Sequence, residues 1–380
     1  MRWSSILGQE RVAQMLQRCI VDHRVPQALL LTGREGAGTI ALALAFARTV
    51  NCRNPLVSHH NVAPCEACSS CLQSATLQHT NIKLIMALPA GKADTEEDVA
   101  DDVLESLRDI IGAVAEDPYT RVRLPNASMI RIGQIREVKR MLSLSAAQEG
   151  RRVVIIVNAE EMNVEASNAF LKTLEEPHDD VTIIMTTSRP ERLLQTIVSR
   201  CQELIVPPLS DEIVIKTLVA RGLCSEDEAS LVAPFAEGDI QRAADFVSED
   251  VRTLRTSALA LLRSALRGKD YRNALSDAAA EIGDERSKAK AEATLSLLAV
   301  WLRDAYALAL GGPDVRLVNA DDRSALEKFA AAFGSADLLS VITVIERAAR
   351  DIQRNTSITL TLLTAMMDIR VIIARTRVSA

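Results

Sequence analysis

The spacing of apolar positions changes twice along this chain. Between Gln9 and Asp22, Val12, Met15, Leu16 and Ile20 recur at helical steps and share one face. Ala28 to Leu31 is a short unbroken apolar run, long enough for a buried strand, and Thr39 to Val50 reads as a helix with little polar surface. Val153 to Val157, "VVIIV", is apolar and β-branched throughout, as suits a strand covered on both faces in a parallel sheet. Asn163 offers an N-cap to a helix over Val164 to Glu176 that Pro177 stops. On that helix Ala166, Ala169, Phe170, Thr173 and Leu174 lie on one side, which should pack on the sheet, while Lys172 and Glu176 face away. Val181 to Met185, "VTIIM", is a second buried strand, and Leu204 to Val206 a third, closed by Pro207 and Pro208. Strands alternating with helices predict an α/β core, a parallel sheet with flanking helices.

After Ser210 only the helical period remains. The pattern predicts an α/β domain over 1–208, a small helical domain over 209–248 and a larger all-α domain over 249–380, interrupted near Gly311-Gly312-Pro313. The stretch from about 90 to 125 stands apart. "GKADTEEDVADDVLESLRDIIGAVAEDP" is strongly acidic, and Val99, Val103, Leu104, Leu107 and Ile111 share a helical face within it. Its flanks read as an exposed insertion in solvent.

Charge is nearly balanced, with 44 Lys+Arg against 50 Asp+Glu, so no global basic excess advertises nucleic acid. A local basic cluster does exist at Arg131, Arg136, Lys139 and Arg140, with Arg151 and Arg152 nearby. Sparse aromatics and abundant alanine and leucine favour helices over an all-β fold. The N-terminus "MRWSSILGQE" has no long apolar core or cleavage site, and no long uncharged apolar run follows, so a cytoplasmic protein is expected.

Four of the seven cysteines cluster. Cys52, Cys65, Cys68 and Cys71 have the spacing C-x12-C-x2-C-x2-C, and a short C-x2-C step lets two sulfurs meet one ion. This pattern predicts a structural Zn²⁺ with four thiolate ligands and no open position for catalysis. His59 and His60 in the first loop leave open a histidine in place of Cys52. Cys19, Cys201 and Cys224 are isolated.

"LLLTGREGAGTI", Leu29 to Ile40, has the strand–glycine-loop–helix layout of a phosphate-binding loop, G-x-x-x-x-G-K-[ST]. Gly33 and Gly38 take the glycine positions, and Gly36 lies between them. Thr39 stands where a lysine ammonium should neutralise phosphate, and Ile40 where a hydroxyl should hold Mg²⁺. The strand that should end in two carboxylates offers Asn158 and Ala159, or Val157 and Asn158 one register back. Two separate elements have lost their chemistry, so ATP/Mg²⁺ hydrolysis by this chain is not expected.

Several stretches together resemble one family. "LGQE" at 7–10, "ALLLTGREGAG" at 28–38, "IRIGQIREVKRMLS" at 130–143, "ASNAFLKTLEEP" at 166–177 and "TTSRPERLLQTIVSRCQ" at 186–202 look like the AAA+ clamp-loader subunits of bacterial DNA polymerase III. The degenerate loop resembles delta-prime subunits more than gamma/tau. The resemblance implies an AAA+ core and identifies Ser199-Arg200-Cys201 as the Ser-Arg-Cys motif, with Arg200 an arginine finger reaching ATP on a neighbouring subunit. It places Thr186 and Thr187 in the sensor 1 region, without a phosphate to sense. Arg242, after Gly238, is one residue out of step with the sensor 2 pattern and reads as a surface arginine.

The implied function is that of a non-catalytic stator in the replicative clamp loader. Its partners would be a gamma/tau-like ATPase and a delta-like subunit, with the sliding clamp and primed DNA engaged by the whole complex. The C-terminal "NTSITLTLLTAMMDIRVIIA" would serve either as a collar contact or as internal core. Two alternatives remain at this level: a live ATPase in which Arg34 or a partner residue replaces the lysine, and a zinc-containing DNA-binding protein.

Overall fold

The computed structural model describes residues 2–59, 61–89, 101–125, 127–143, 148–176, 178–248, 250–268, 270–283, 288–312, 314–353 and 356–378. Val99, His60 and Pro177 lie outside the described residues, as does the 90–100 stretch of the acidic segment. The chain divides into two compact units, Met1–Val214 with Glu237–Gln241, and Ile215–Ala236 with Arg242–Ala380.

The first unit is the α/β core. In chain order it comprises α1 (Glu10–Val21), β1 (Ala28–Gly33), α2 (Thr39–Val50), β2 (Leu56–Ser58), β3 (Asn61–Ala63), α3 (Ser69–Ala75), β4 (Ile82–Ile85), β5 (Leu88–Pro89), α4 (Asp101–Glu116), β6 (Ala127–Met129), α5 (Ile132–Ser143), β7 (Arg152–Ile156), α6 (Val164–Glu175), β8 (Val181–Thr187), α7 (Gln195–Val198) and β9 (Gln202–Val206). Five strands form one parallel sheet in the order β4-β7-β8-β1-β9. The apolar runs read from sequence are its centre: every residue of β7 and of β8 is buried, as a strand with helices on both faces requires. Leu30 pairs with Met185 on one side and Glu203 on the other, which fixes the level at which β1 releases its glycine loop.

The helices follow from the same logic. Asn163 caps α6, its side chain accepting the Ala166 N–H at 2.7 Å. Ala166, Phe170 and Leu174 are buried on that helix, joined by Ser167, while Lys172 and Glu176 are exposed. Helix α2 is buried without a break from Ala41 to Thr49, so almost all of its surface is core. Strand β4 lies at the sheet edge, half-buried around Lys83, and lacks the unbroken apolar signal of the central strands.

The acidic segment differs from its sequence reading at one end. Helix α4 is there, and Val114 is the buried residue on it. The stretch after it is not solvated: Tyr119, Val122 and Leu124 are buried. The expectation of an exposed flank is therefore corrected. The many carboxylates upstream masked a short apolar segment that packs back on the core.

Helices α8 (Asp211–Ala220) and α10 (Ile240–Ser248) each belong partly to both units, and the second unit further comprises α9 (Glu226–Ala236), α11 (Val251–Leu266), α12 (Tyr271–Ile282), α13 (Lys288–Gly311), α14 (Arg323–Phe333), α15 (Leu338–Gln353) and α16 (Ile358–Val378). One apolar core joins α11 to α16, with Leu261, Leu298, Leu302, Leu326, Val341 and Leu362 fully buried. Helix α13 is long and apolar enough to cross a membrane by length and composition, yet 67% of its apolar window is buried within the protein, as for a core helix. Helix α16 turns Leu362, Met366 and Ile369 into this core and leaves Leu360, Met367 and Val371 exposed.

Candidate nucleotide cradle and cysteine cluster

Strand β1 delivers its glycine loop to the N-terminus of α2, the geometry in which backbone N–H groups face an anion. Gly38 is the N-cap of α2 at φ +96°, and Gly36 has φ +77°, so both positions need the left-handed backbone that glycine supplies. A Cβ on Gly36 would come within 2.6 Å of the Asp239 Cα. The loop thus keeps the shape of a phosphate cradle. Gln9 braces it from outside, its buried side-chain amide donating to Ala37 O at 2.9 Å and Pro207 O at 2.7 Å.

All eight residues read from sequence as remnants of a nucleotide site lie around one cavity. Gly33, Gly36, Gly38, Thr39 and Ile40 come from the loop, Asn158 from the turn after β7, and Thr186 and Thr187 from the end of β8. Asn158, at φ +51°, donates its N–H to Thr186 Oγ1 at 3.2 Å. Strand β7 ends without a carboxylate on the cavity. Glu160 instead accepts hydrogen bonds from the N–H and hydroxyl of Ser188, and Glu161 lies 3.6 Å from Arg123. Arg34, on the variable part of the loop, is ion-paired with Glu237 at 3.1 Å.

The cavity measures about 40 Å³. The cavity's other wall carries no motif in the sequence. Pro118, Tyr119, Thr120, Arg121 and Val122 line the same cavity, brought there from the tail of the acidic segment. Their partners are remote in sequence, so no local motif announces them.

Ser199, Arg200 and Cys201 sit at the end of α7, outside this cavity lining. Arg200 is exposed. It donates to Glu175 Oε1 at 2.7 Å and to Thr196 O at 2.9 Å. Ser199 Oγ donates to Thr196 O, and Cys201 Sγ to Ile197 O, so the two flanking residues tie the turn to α7. Burial pushes the Cys201 thiol up to about 12, which keeps it protonated and inert.

The four clustered cysteines converge. Cys52 follows α2, Cys65 follows β3, Cys68 caps α3 and Cys71 lies within it, and their Sγ atoms are all within 4.8 Å of one another. A tetrahedral ion with metal–sulfur bonds near 2.3 Å needs sulfurs about 3.8 Å apart, so the set fits a metal ion. Backbone N–H groups already point at two sulfurs, Cys65 N to Cys52 Sγ at 3.2 Å and Cys71 N to Cys68 Sγ at 3.4 Å. The thiols are driven apart in acidity. Burial, then the neighbouring Cys52 and Cys68 thiols, push Cys71 up to about 12. Burial acts upward on Cys68 as well, but hydrogen bonds from the Arg53 and Cys71 backbone and from the Cys71 and Cys65 thiols hold it down to about 6. Among the described residues this is the group of His, Cys, Asp and Glu side chains assembled closely enough for an ion. His59 is exposed and outside it.

The basic cluster is largely engaged in structure. Arg131 donates to Pro89 O, Arg152 is clamped to Asp180 at 2.8 Å, and Arg151 donates to Thr182 Oγ1 and Val181 O.

Comparison with known proteins fixes the family. Residues 8–210 match the model described as "DNA polymerase III, delta subunit", and residues 279–369 match "DNA polymerase III, delta subunit, C terminal". The DNA polymerase III subunit delta' of Bacillus subtilis (strain 168) is 26% identical over 213 residues, covering 56% of this chain and 52% of that protein. The subunit delta' of Pseudomonas aeruginosa is 31% identical over 180 residues, covering 47% and 43%. The subunit tau of Bacillus subtilis (strain 168) is 24% identical over 255 residues, covering 66% and 38%. The chain thus spans about half the length of the curated delta' relatives it matches. With a parallel sheet that delivers a glycine loop to a helix N-terminus and a helical C-terminal unit, the chain belongs to the DNA polymerase III delta-subunit family.

Proposed function

We propose that this protein is a non-catalytic, delta-prime-like subunit of the replicative clamp loader. It acts as a cytoplasmic stator. It donates Arg200 in trans to ATP held by a gamma/tau-like neighbour while the assembly, with a delta-like subunit, sets the sliding clamp on primed DNA. One observation carries the reading: the phosphate cradle keeps Gly33, Gly36 and Gly38 but surrounds a cavity of about 40 Å³ with Thr39, Ile40 and Asn158. None of these side chains supplies the ammonium, the metal-binding hydroxyl or the carboxylate that phosphoryl transfer needs at those positions. Arg34 gives no support to a live-ATPase reading, since Glu237 holds it. The ion at Cys52, Cys65, Cys68 and Cys71 would be Zn²⁺, which four thiolates bind tetrahedrally with no position left for substrate. Its role is to staple the segment between α2 and α3. Titrating a fluorescent ATP analogue with Mg²⁺ into the purified chain tests the proposal. Absence of saturable binding up to about millimolar, roughly the weak end of specific affinity, is expected. Micromolar binding with turnover would overturn it.

A further inference from the structure

One wall of the cradle cavity is the protein's own 118–122 segment. Tyr119 is buried, its hydroxyl accepts the Leu7 N–H at 2.7 Å, and its ring lies against Gly38, where a Cβ would come within 3.0 Å of the Tyr119 hydroxyl oxygen. Arg121 reaches both walls. Its guanidinium stands 3.9 Å from Glu35 on the glycine loop and 3.5 Å from the buried Asp239. Val122 and Leu124 anchor the segment in the core, and the Asp117 carboxylate accepts the Tyr119 N–H at 3.0 Å to shape the turn that carries it in.

The charged side chains on this pocket, Arg34, Glu35 and Arg121, are already paired within the protein. A nucleotide cradle presents N–H groups and an ammonium to a polyanion. Here Glu35 and Asp239 are turned toward a guanidinium, and the loop's own Arg34 is held by Glu237. A triphosphate entering this space would meet the volume of Tyr119 and two carboxylates released from Arg121.

We propose that the 118–122 segment is a built-in occupant of the degenerate nucleotide cradle, with Tyr119 and Arg121 as its anchors, and that it excludes nucleotide and holds the glycine loop rigid. This rests on the reading of the cradle as ATPase-dead and adds a second, separable barrier. The lost lysine and hydroxyl remove phosphate chemistry. The segment removes the space.

The test uses the full chain and two readouts. The first is amide hydrogen exchange over 33–40 in the wild type and in a Tyr119→Ala/Arg121→Ala variant. Exchange in the loop should quicken by about tenfold or more while β7, β8 and α13 keep their protection. Unchanged loop protection overturns the proposal. If the alanine variant loses protection everywhere, the volume-conserving Tyr119→Phe/Arg121→Gln variant replaces it, and the same criterion applies.

The second readout is titration of a fluorescent ATP analogue into a chain with a repaired loop, Thr39→Lys/Ile40→Thr. Repair alone should give no saturable binding. Repair combined with Tyr119→Ala/Arg121→Ala should bind at least about tenfold tighter. Equal binding with and without the segment's anchors, or none in either, overturns the proposal. If the unrepaired Tyr119→Ala/Arg121→Ala variant binds and hydrolyses ATP, the plug stands and the ATPase-dead reading fails. If the repaired loop binds with the anchors in place, the plug fails and that reading stands.

Discussion

Replacing Arg200 by alanine should separate function from stability cleanly. The arginine is tied to the body by one ion pair to Glu175 and one bond to the Thr196 carbonyl. The side chains are 35% and 47% exposed, so water screens the pair. Such pairs contribute about 0.2–1 kcal/mol. An arginine finger is worth about 10³–10⁵ in rate, or about 4–7 kcal/mol at 1.36 kcal/mol per decade. In the proposed finger role, the resting contact is the weaker of the two by several kcal/mol and would not hold the arginine back from a neighbour's phosphate. Arg200→Ala should shift the denaturation midpoint of the isolated chain by no more than about 1 kcal/mol. In the reconstituted assembly, single-turnover hydrolysis at the adjoining ATP site should fall by about 10³–10⁵. Glu175→Gln should change that rate by no more than about fivefold, and upward, because it loosens the resting contact. Hydrolysis within about tenfold of wild type in the Arg200→Ala assembly would refute the reasoning, as would a loss of several kcal/mol in the isolated chain.

Further outcomes follow from other parts of the molecule. Cys71→Ser should lower bound zinc from about one ion per chain to a small fraction and expose the segment between α2 and α3 to protease, read by metal analysis and limited proteolysis. His79 accepts the Asn81 N–H on Nδ1, so its Nε2 carries the proton and donates to Ser70 Oγ, while Ser70 donates to the Asn51 carbonyl. Burial, then the charge of Arg53, hold its basicity below the usual 6.5. The unfolded chain therefore binds the extra proton first. Stability from this group is complete above about pH 6.5 and is lost as the pH falls through the lowered folded value. Urea melts from pH 7.5 to 5.5 should show that loss in the wild type and a shallower one in His79→Gln. In the helical unit, Asp304 accepts from Val318 N, Asn319 N and Asn319 Nδ2, and Asn319 is fully buried. Asp304→Ala should cost about 3–5 kcal/mol, since each stranded buried donor costs about 1–3 kcal/mol. Calorimetric melting checks it, and a loss below about 1 kcal/mol would contradict the role assigned to that carboxylate.

The central strands were legible because burial on both faces writes itself as unbroken apolar runs, as in Val153 to Val157 and Val181 to Met185. The Asn163 cap was legible because its partner is three residues away. Strand β4 was not, because an edge strand holding Lys83 needs only half of that signal. The cysteine cluster was readable as a spacing, and the glycine loop as a motif with two residues wrong. The occupant of the cradle was hidden for a different reason. Tyr119 meets Leu7 across 112 residues and Arg121 meets Asp239 across 118, so tertiary structure alone brings them together. The acidic run before them also diluted their apolar neighbours Val122 and Leu124 in any local average.

The most direct measurement is where ATP sits when the assembly is complete. Photo-crosslinking with an azido-ATP analogue in the reconstituted loader, followed by peptide mapping, reports it subunit by subunit. The account predicts label on the neighbouring ATPase and none on this chain. Label on the peptide spanning Gly33 to Ile40 would contradict it.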